Sequence, residues 1–291
     1  MKKILALILA SFMLFALVAC GGNEVVVEEN GQQNQVSETV KEEKEPEKNY
    51  PDNILMNPYG TGGNVFFNYS IQNRNIRTVT FLDTLADMPA DAWDVSRDKN
   101  GSVMAWVTDG VNLYIAGEGG VTASSCNRMF GGYNNVVSID FGGCFYTDLT
   151  DRLTEMFVYC HNLETLDLSG WNVSNVKYMS DAFHDCLKLK SVNLSGWETS
   201  KLEVVRCMFE GCKSLESIDI SHFDTSKVGS FECMFNGCKK LTAIDVSGWN
   251  TDSVLSMREM FKNCESLTSV SGLKIPEGCD TTDMYKGTPL A

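Results

Sequence analysis

The chain has 291 residues, with 24 Lys and Arg against 38 Asp and Glu and a formal net charge of −14. So acidic a balance argues against nucleic acid and against docking on anionic lipid headgroups. The length is ample for a sizeable core in one or two units.

The first nineteen residues have the three parts of a secretory signal. Lys2 and Lys3 form a positive start, Ile4 to Ala16 is almost wholly apolar, and Leu17-Val18-Ala19 leads into Cys20. This pattern resembles a bacterial lipobox, which implies cleavage before Cys20 and acylation of its thiol. The apolar run, about 16 residues, is short of the roughly 20 that span a bilayer, and Gly21-Gly22 ends it. The expectation is a protein of the bacterial cell envelope, surface-exposed outside the cytoplasm and touching membrane through its lipid anchor alone. Removing residues 1–19 takes away two lysines and no acid, moving the charge from −14 to −16. Residues 20–49 then form the lipidated cysteine and a tether. Eight Glu, three Lys and no aromatic residue in 21–49 cannot bury enough apolar area to offset the entropy of ordering. As a flexible coil, such a tether reaches roughly 30 Å.

Residues 50–128 read as a β-rich lead-in domain. Val65-Phe66-Phe67, Thr78 to Phe81, Ser102 to Val107 and Asn112 to Ala116 carry alternating β-branched and aromatic residues, with Asn100-Gly101 and Asp109-Gly110 as hairpin signals. Asp94-x-Ser96-x-Asp98-x-Asn100-Gly101 faintly resembles a calcium loop. Its glycine falls two places late and position twelve lacks a glutamate, so a hairpin turn is the better account.

From 129 to 291 a period decides the reading. Cys160, Cys186, Cys212, Cys238 and Cys264 are 26 residues apart, each three residues after a phenylalanine (Phe157, Phe183, Phe209, Phe235, Phe261) and three before a leucine. Trp171, Trp197, Phe223 and Trp249 form another column, and Met129-Phe130 and Met284-Tyr285 are weaker flanking copies. Within a unit, Leu166 and Leu168 share one side of an extended segment. Val176, Met179, Ala182 and Phe183 recur at the spacing of an apolar helical stripe, with Ser174 or Ser200 as N-cap and Ser200 with Glu203 as a capping box. The predicted fold is therefore an α/β leucine-rich-repeat solenoid, one short parallel strand and one short helix per 26 residues.

Units of the form M-F-x-x-C-x-x-L-x-x-L-D-L-S-G-W-x-x-S-x-V-x-x-M, as in Met156 to Met179, resemble the BspA-like leucine-rich-repeat surface proteins. The lead-in from Ala92 to Ile115 is similar to the segment that precedes the repeats there. The resemblance, which runs from about residue 75 to the C-terminus, implies a cell-surface protein for adhesion or protein–protein interaction. Its partner would be an extracellular or host protein or glycan. Candidate contact residues lie on the outward strand positions: Thr165, Asp167, Ser169, Ser191, Asn193, Ser195, Ser217, Asp219, Ser221, Asp245 and Ser247. They are small and polar, without the aromatic and Arg anchors of tight interfaces, so a solvated face and an avidity-dependent contact stay open, as does cation binding by the aspartates.

Other features read as structure. A straight row of in-register cysteines gives no tetrahedron for zinc and places Cβ atoms near 4.8 Å, beyond the usual 3.8 Å of a disulfide. Buried thiols are the expectation, with rung-to-rung disulfides, Cys207–Cys233 among them, as the alternative; no metal or cofactor is called for. The aromatic column reads as core, with a glycan-stacking platform as the alternative. His161, His184 and His222 fall at different phases, Asp219 and Asp245 share no cleft, and motifs of hydrolases or nucleotide enzymes are absent, so no enzyme is predicted. The competing functional reading is a solute- or glycan-capture lipoprotein serving an uptake system.

Overall fold

A computed structural model describes residues 53–56 and 73–291. The signal segment, Cys20, the tether and Val65–Phe67 lie outside the described residues. Among the described residues there are twelve strands: β1 (Ile54–Leu55), β2 (Thr78–Leu82), β3 (Trp93–Asp94), β4 (Met104–Thr108), β5 (Asn112–Ala116), β6 (Val121–Ala123), β7 (Ser138–Asp140), β8 (Phe145–Tyr146), β9 (Thr165–Asp167), β10 (Ser191–Asn193), β11 (Ala243–Asp245) and β12 (Ser269–Ser271). Among the described residues no helix is long and apolar enough to cross a membrane.

The lead-in strands follow their turn chemistry. Asp109 and Gly110, at φ 51° and 70°, both take the left-handed conformation of a type I′ turn and join β4 to β5 antiparallel, Thr108 opposite Asn112. β3 pairs antiparallel with β4. Between them, the Asp94 carboxylate accepts the Ser96 amide (2.7 Å) and the Gly101 amide (3.1 Å), so the loop that resembled a calcium site spends this acid on closing a turn. The five-stranded sheet runs β3-β4-β5-β2-β7. Its last strand, Ser138–Asp140, pairs parallel with Thr78–Thr80, so one sheet extends across residue 128. A three-stranded sheet, β1-β6-β8, completes this end.

The predicted leucine-rich-repeat solenoid with a helix in every unit does not form. No α-helix occurs among the described residues, a 3-10 turn at Asn73–Asn75 being the helical element found. The strands lie in four small, separate sheets, of five, three, two and two strands. The reason is visible in the backbone bonds of the segment assigned to the helix. The amides of Asp181, Phe183 and Asp185 donate to Arg206, Met208 and Glu210 of the following repeat at 2.8–3.0 Å; those of Ala182, His184 and Cys186 donate three residues back along their own chain at 3.1–3.3 Å. A helix would send every amide four residues back at φ near −63°. Here Asp181 and Asp185 sit at φ 56° and 55°, the third position of two type II turns separated by a turn of the other kind. The expected N-cap Ser174 instead donates its amide and hydroxyl to Asn172 Oδ1 at 3.1 and 2.7 Å. Glu203 of the supposed capping box pairs with Lys177 at 3.5 Å.

The turn segments repeat from unit to unit, and side chains lock them. Phe157, Phe183, Phe209, Phe235 and Phe261 stack ring on ring at 5.3, 5.1, 5.6 and 5.7 Å, within 11° of parallel. The flanking copies Phe130 and Tyr285 extend the row at 5.8 and 5.7 Å. Such pairs contribute about 0.5–1.5 kcal/mol each beyond burial. The aromatic column Trp171, Trp197, Phe223 and Trp249 is buried as well. Trp197 and Trp249 donate their indole N–H to Leu168 and Ile220 carbonyls at 2.8 Å, which leaves no face for sugar stacking. Buried Thr147, Thr225 and Thr251 each donate a hydroxyl to a carbonyl of the next unit at 2.7–2.9 Å.

Two ladders lapse at one join. β9 pairs parallel with β10, and β11 with β12, but Ser217–Asp219 between them forms no strand. Likewise, single bridges link Tyr178 to Val204 and Ser230 to Ser256, and none among the described residues links Val204 to Ser230. In the 26-residue column Met179, Val205, Phe231, Met257, the bulky Phe231 stands at this join and stacks on Trp249 at 4.5 Å. Across it, the turn-segment bonds from Cys207, Phe209 and Gly211 continue.

Candidate functional site

The candidate contact face is built one short segment per repeat. In each of β9, β10 and β11 the central residue is buried and its two neighbours are exposed, because successive side chains leave a strand on opposite sides. Thr165 stands opposite Ser191, and Asp167 opposite Asn193. Thr165, Asp167, Ser169, Ser191, Asn193, Ser195, Ser217, Asp219, Asp245 and Ser247 are exposed, whereas Ser221 is half-buried. Ladder pairing thus joins the first two triplets. It joins Asp245 to Ser271 rather than to Asp219, so the aspartates do not form one continuous paired stripe.

The acids of this face have a local task. Asp167, Asn193, Asp219 and Asp245 each accept the backbone amide two residues on, from Ser169, Ser195, Ser221 and Ser247, at 2.9–3.2 Å. Asn193 and Asp219 also accept the serine hydroxyl at 2.9 Å. An Asp or Asn side chain closing its own turn is the ordinary reason for such a residue at a strand end. The bonds from Ser169 hold the Asp167 carboxyl below the usual carboxylate range, and those from Ser247 do the same for Asp245. Along the edge, Glu164 pairs with Lys190 at 2.6 Å, Lys240 with Glu216 at 3.9 Å and Lys239 with Glu265 at 2.5 Å. These exposed pairs add little stability, but they give the face alternating charge.

The cysteine ladder is a set of free, buried thiols. Cys160, Cys186, Cys212, Cys238 and Cys264 donate their S–H groups to the carbonyls of Phe130, Phe157, Phe183, Phe209 and Phe235, one repeat back, at 3.0–3.3 Å. Burial pushes these thiols well up, Cys264 to about 12. They are core residues with one polar task.

Cys207 and Cys233 differ. Both are half-buried, both stand at positive φ (56° and 57°), and their sulfurs lie with a Glu210 carboxylate oxygen within 4.8 Å of one another. The turn that returns the Glu210 amide to the Cys207 carbonyl (3.1 Å) brings that acid over. Burial first, and the Glu210 carboxylate second, push the Cys207 thiol up. Period alone places the two cysteines together; the glutamate becomes visible once Cys207 to Glu210 is read as a turn.

Two of the three histidines share an aromatic neighbour, while His222 packs on Phe223. Tyr159 packs edge-on against both His161 (6.0 Å) and His184 (5.7 Å). His184 Nδ1 lies 3.4 Å from Asp181 and 3.6 Å from Glu210.

No curated protein and no solved structure matches the chain. A family model does, described as "Mycoplasma protein of unknown function, DUF285", over residues 124–219 and again over 193–289. The two matches together span more than half of the chain and coincide with its repeats. The chain belongs to the DUF285 family.

Proposed function

We propose that this chain is a non-catalytic display protein, lipid-anchored through Cys20 outside the cytoplasm, whose repeats serve adhesion or protein–protein interaction. The observation that carries this reading is the outward face of the short strands. Residues Thr165, Asp167, Ser191 and Asn193 are exposed in parallel register, a surface that repeats with the fold and suits many weak contacts rather than one enclosed substrate. The resemblance of the M-F-x-x-C-x-x-L units to BspA-like surface proteins points the same way. So does the lipobox-like approach to Cys20. The partner is an extracellular or host protein or glycan, and with this charge balance a basic protein surface is favoured over an acidic one.

The test is binding of the 50–291 unit to immobilised extracellular-matrix and host glycoproteins. Saturable binding that weakens with salt, and that Asp167→Lys with Asp245→Lys reduces, is expected. Absence of binding across such a panel, with cell attachment unchanged by the same substitutions, would defeat the proposal. Anchoring is separately checked by Cys20→Ser, which should move the protein out of the membrane fraction.

A further inference from the structure

Two cysteines outside the buried ladder, Cys207 and Cys233, stand at the join where the repeats are least well paired. Among the described residues, one place brings three metal-ligating side chains together: Cys207, Glu210 and Cys233, with donor atoms within 4.8 Å of one another. In a zinc site the sulfurs lie about 2.3 Å and a carboxylate oxygen about 2.0–2.2 Å from the ion. Donors that close reach such a point by small side-chain rotations. We propose that Cys207, Glu210 and Cys233 form a site for a thiophilic divalent cation of the zinc class, which staples one repeat to the next.

Two further observations support it. The first is charge. Glu210 has no lysine or arginine partner among the described residues; its neighbours are the Asn236 amide at 3.3 Å and His184 Nδ1 at 3.6 Å. That Nδ1 is buried, has no hydrogen bond of good geometry and sits between Asp181 at 3.4 Å and Glu210 at 3.6 Å, so a small ring rotation lets it orient the Glu210 carboxylate, as a ligand's outer partner does. Asp181, Glu232 and Glu259 add negative field at the two thiols. The second is position. Cys207 and Cys233 belong to the two repeats between which the Val204–Ser230 bridge and the strand at Ser217–Asp219 are missing. A cation held from both sides would replace that lost pairing. Two thiolates and one carboxylate select zinc over magnesium or calcium and leave a fourth position for water. Binding displaces both thiol protons to solvent and changes no oxidation state.

The full chain, purified in reductant and stripped with a chelator, is titrated with Co(II) as a spectroscopic probe and then with Zn(II). One equivalent of Co(II) is expected to give sulfur-to-cobalt charge-transfer bands and the intense visible bands of a four-coordinate ion, which Zn(II) then displaces. Cys207→Ser and Cys233→Ser should each weaken binding by more than about 100-fold, beyond the loss expected of an outer-shell change, while Cys279→Ser leaves it intact. Wild-type protein offers a readout independent of any variant's folding: zinc should shield Cys207 and Cys233 from alkylation and raise the thermal midpoint. Charge transfer that survives in both serine variants, thiols equally reactive with and without zinc, or a Cys207–Cys233 disulfide that persists in reductant would each overturn the assignment.

Discussion

At the scale of single residues, the repeated aspartates are turn closers before they are anything else. Asp167, Asp224 and Asp245 are held below the usual carboxylate range chiefly by backbone bonds from Ser169, Ser226 and Ser247, and Asp280 by the Thr282 hydroxyl. The folded chain therefore binds fewer protons near pH 4 than the unfolded chain does. The stabilisation is complete above the ordinary carboxylate value and is lost as pH falls through the lowered ones. The thermal midpoint should hold between about pH 7 and pH 5 and drop below about pH 4. Asn193 already closes its turn without a charge. Asp245→Asn together with Asp167→Asn should thus keep the turns, lower the thermal midpoint at pH 7 and shallow the acid limb. An equal loss at both pH values would mean that the shape of the side chain, and not its charge, carries the effect. The ladder thiols have a matching signature. With Cys126 and the ladder thiols Cys160, Cys186, Cys212, Cys238 and Cys264 fully buried, native protein at pH 8 should be alkylated first at Cys207, Cys233 and Cys279, which are half-buried.

At the scale of the element, the unit of construction is a run of turns. The 26-residue spacing, the Phe and Cys columns and the Asp109-Gly110 hairpin were readable because each depends on one residue type in one register. The helix was a misreading with a physical cause. Apolar side chains three and four apart face one side of a helix, and they also face one side of alternating turns. The discriminating signal sat immediately before four of the five ladder cysteines, at Asp185, Gly211, Gly237 and Asn263, and at Gly287 in the last copy, residue types that tolerate positive φ; Tyr159, before Cys160, takes the same conformation without that signal. The lapse at Ser217–Asp219 was not readable, since Ser217-Ile218-Asp219 has the same pattern as its paired neighbours. Of the candidate face, exposure followed from alternation, whereas the use of its acids within their own turns did not show in spacing. Gly237 tests the turn directly. Its φ is 78°, and an added Cβ would meet nothing nearer than 3.7 Å, so steric clash is absent. Gly237→Ala should cost about 1–2 kcal/mol from the left-handed backbone alone, read from denaturant unfolding. In a helix the same change would stabilise by roughly 1 kcal/mol.

At the scale of the whole molecule, the core is threaded by a column in which each phenylalanine from Phe157 to Phe261 stacks on its copies in the repeats before and after. Phe209 is fully buried and stacks on Phe183 and Phe235, while Phe261 has Tyr285 as its outer neighbour. Phe209→Ala should therefore cost about 3–5 kcal/mol and loosen both sides at once. The most direct test of the account is the route of the backbone hydrogen bonds, which through-bond nitrogen–carbonyl NMR couplings report pair by pair. Couplings are predicted from the Phe183 amide to the Met208 carbonyl, from Phe209 to Met234 and from Phe235 to Met260. A coupling from Phe183 to Met179, four residues back, would contradict the account, because it would restore the helix and dissolve the contacts between repeats.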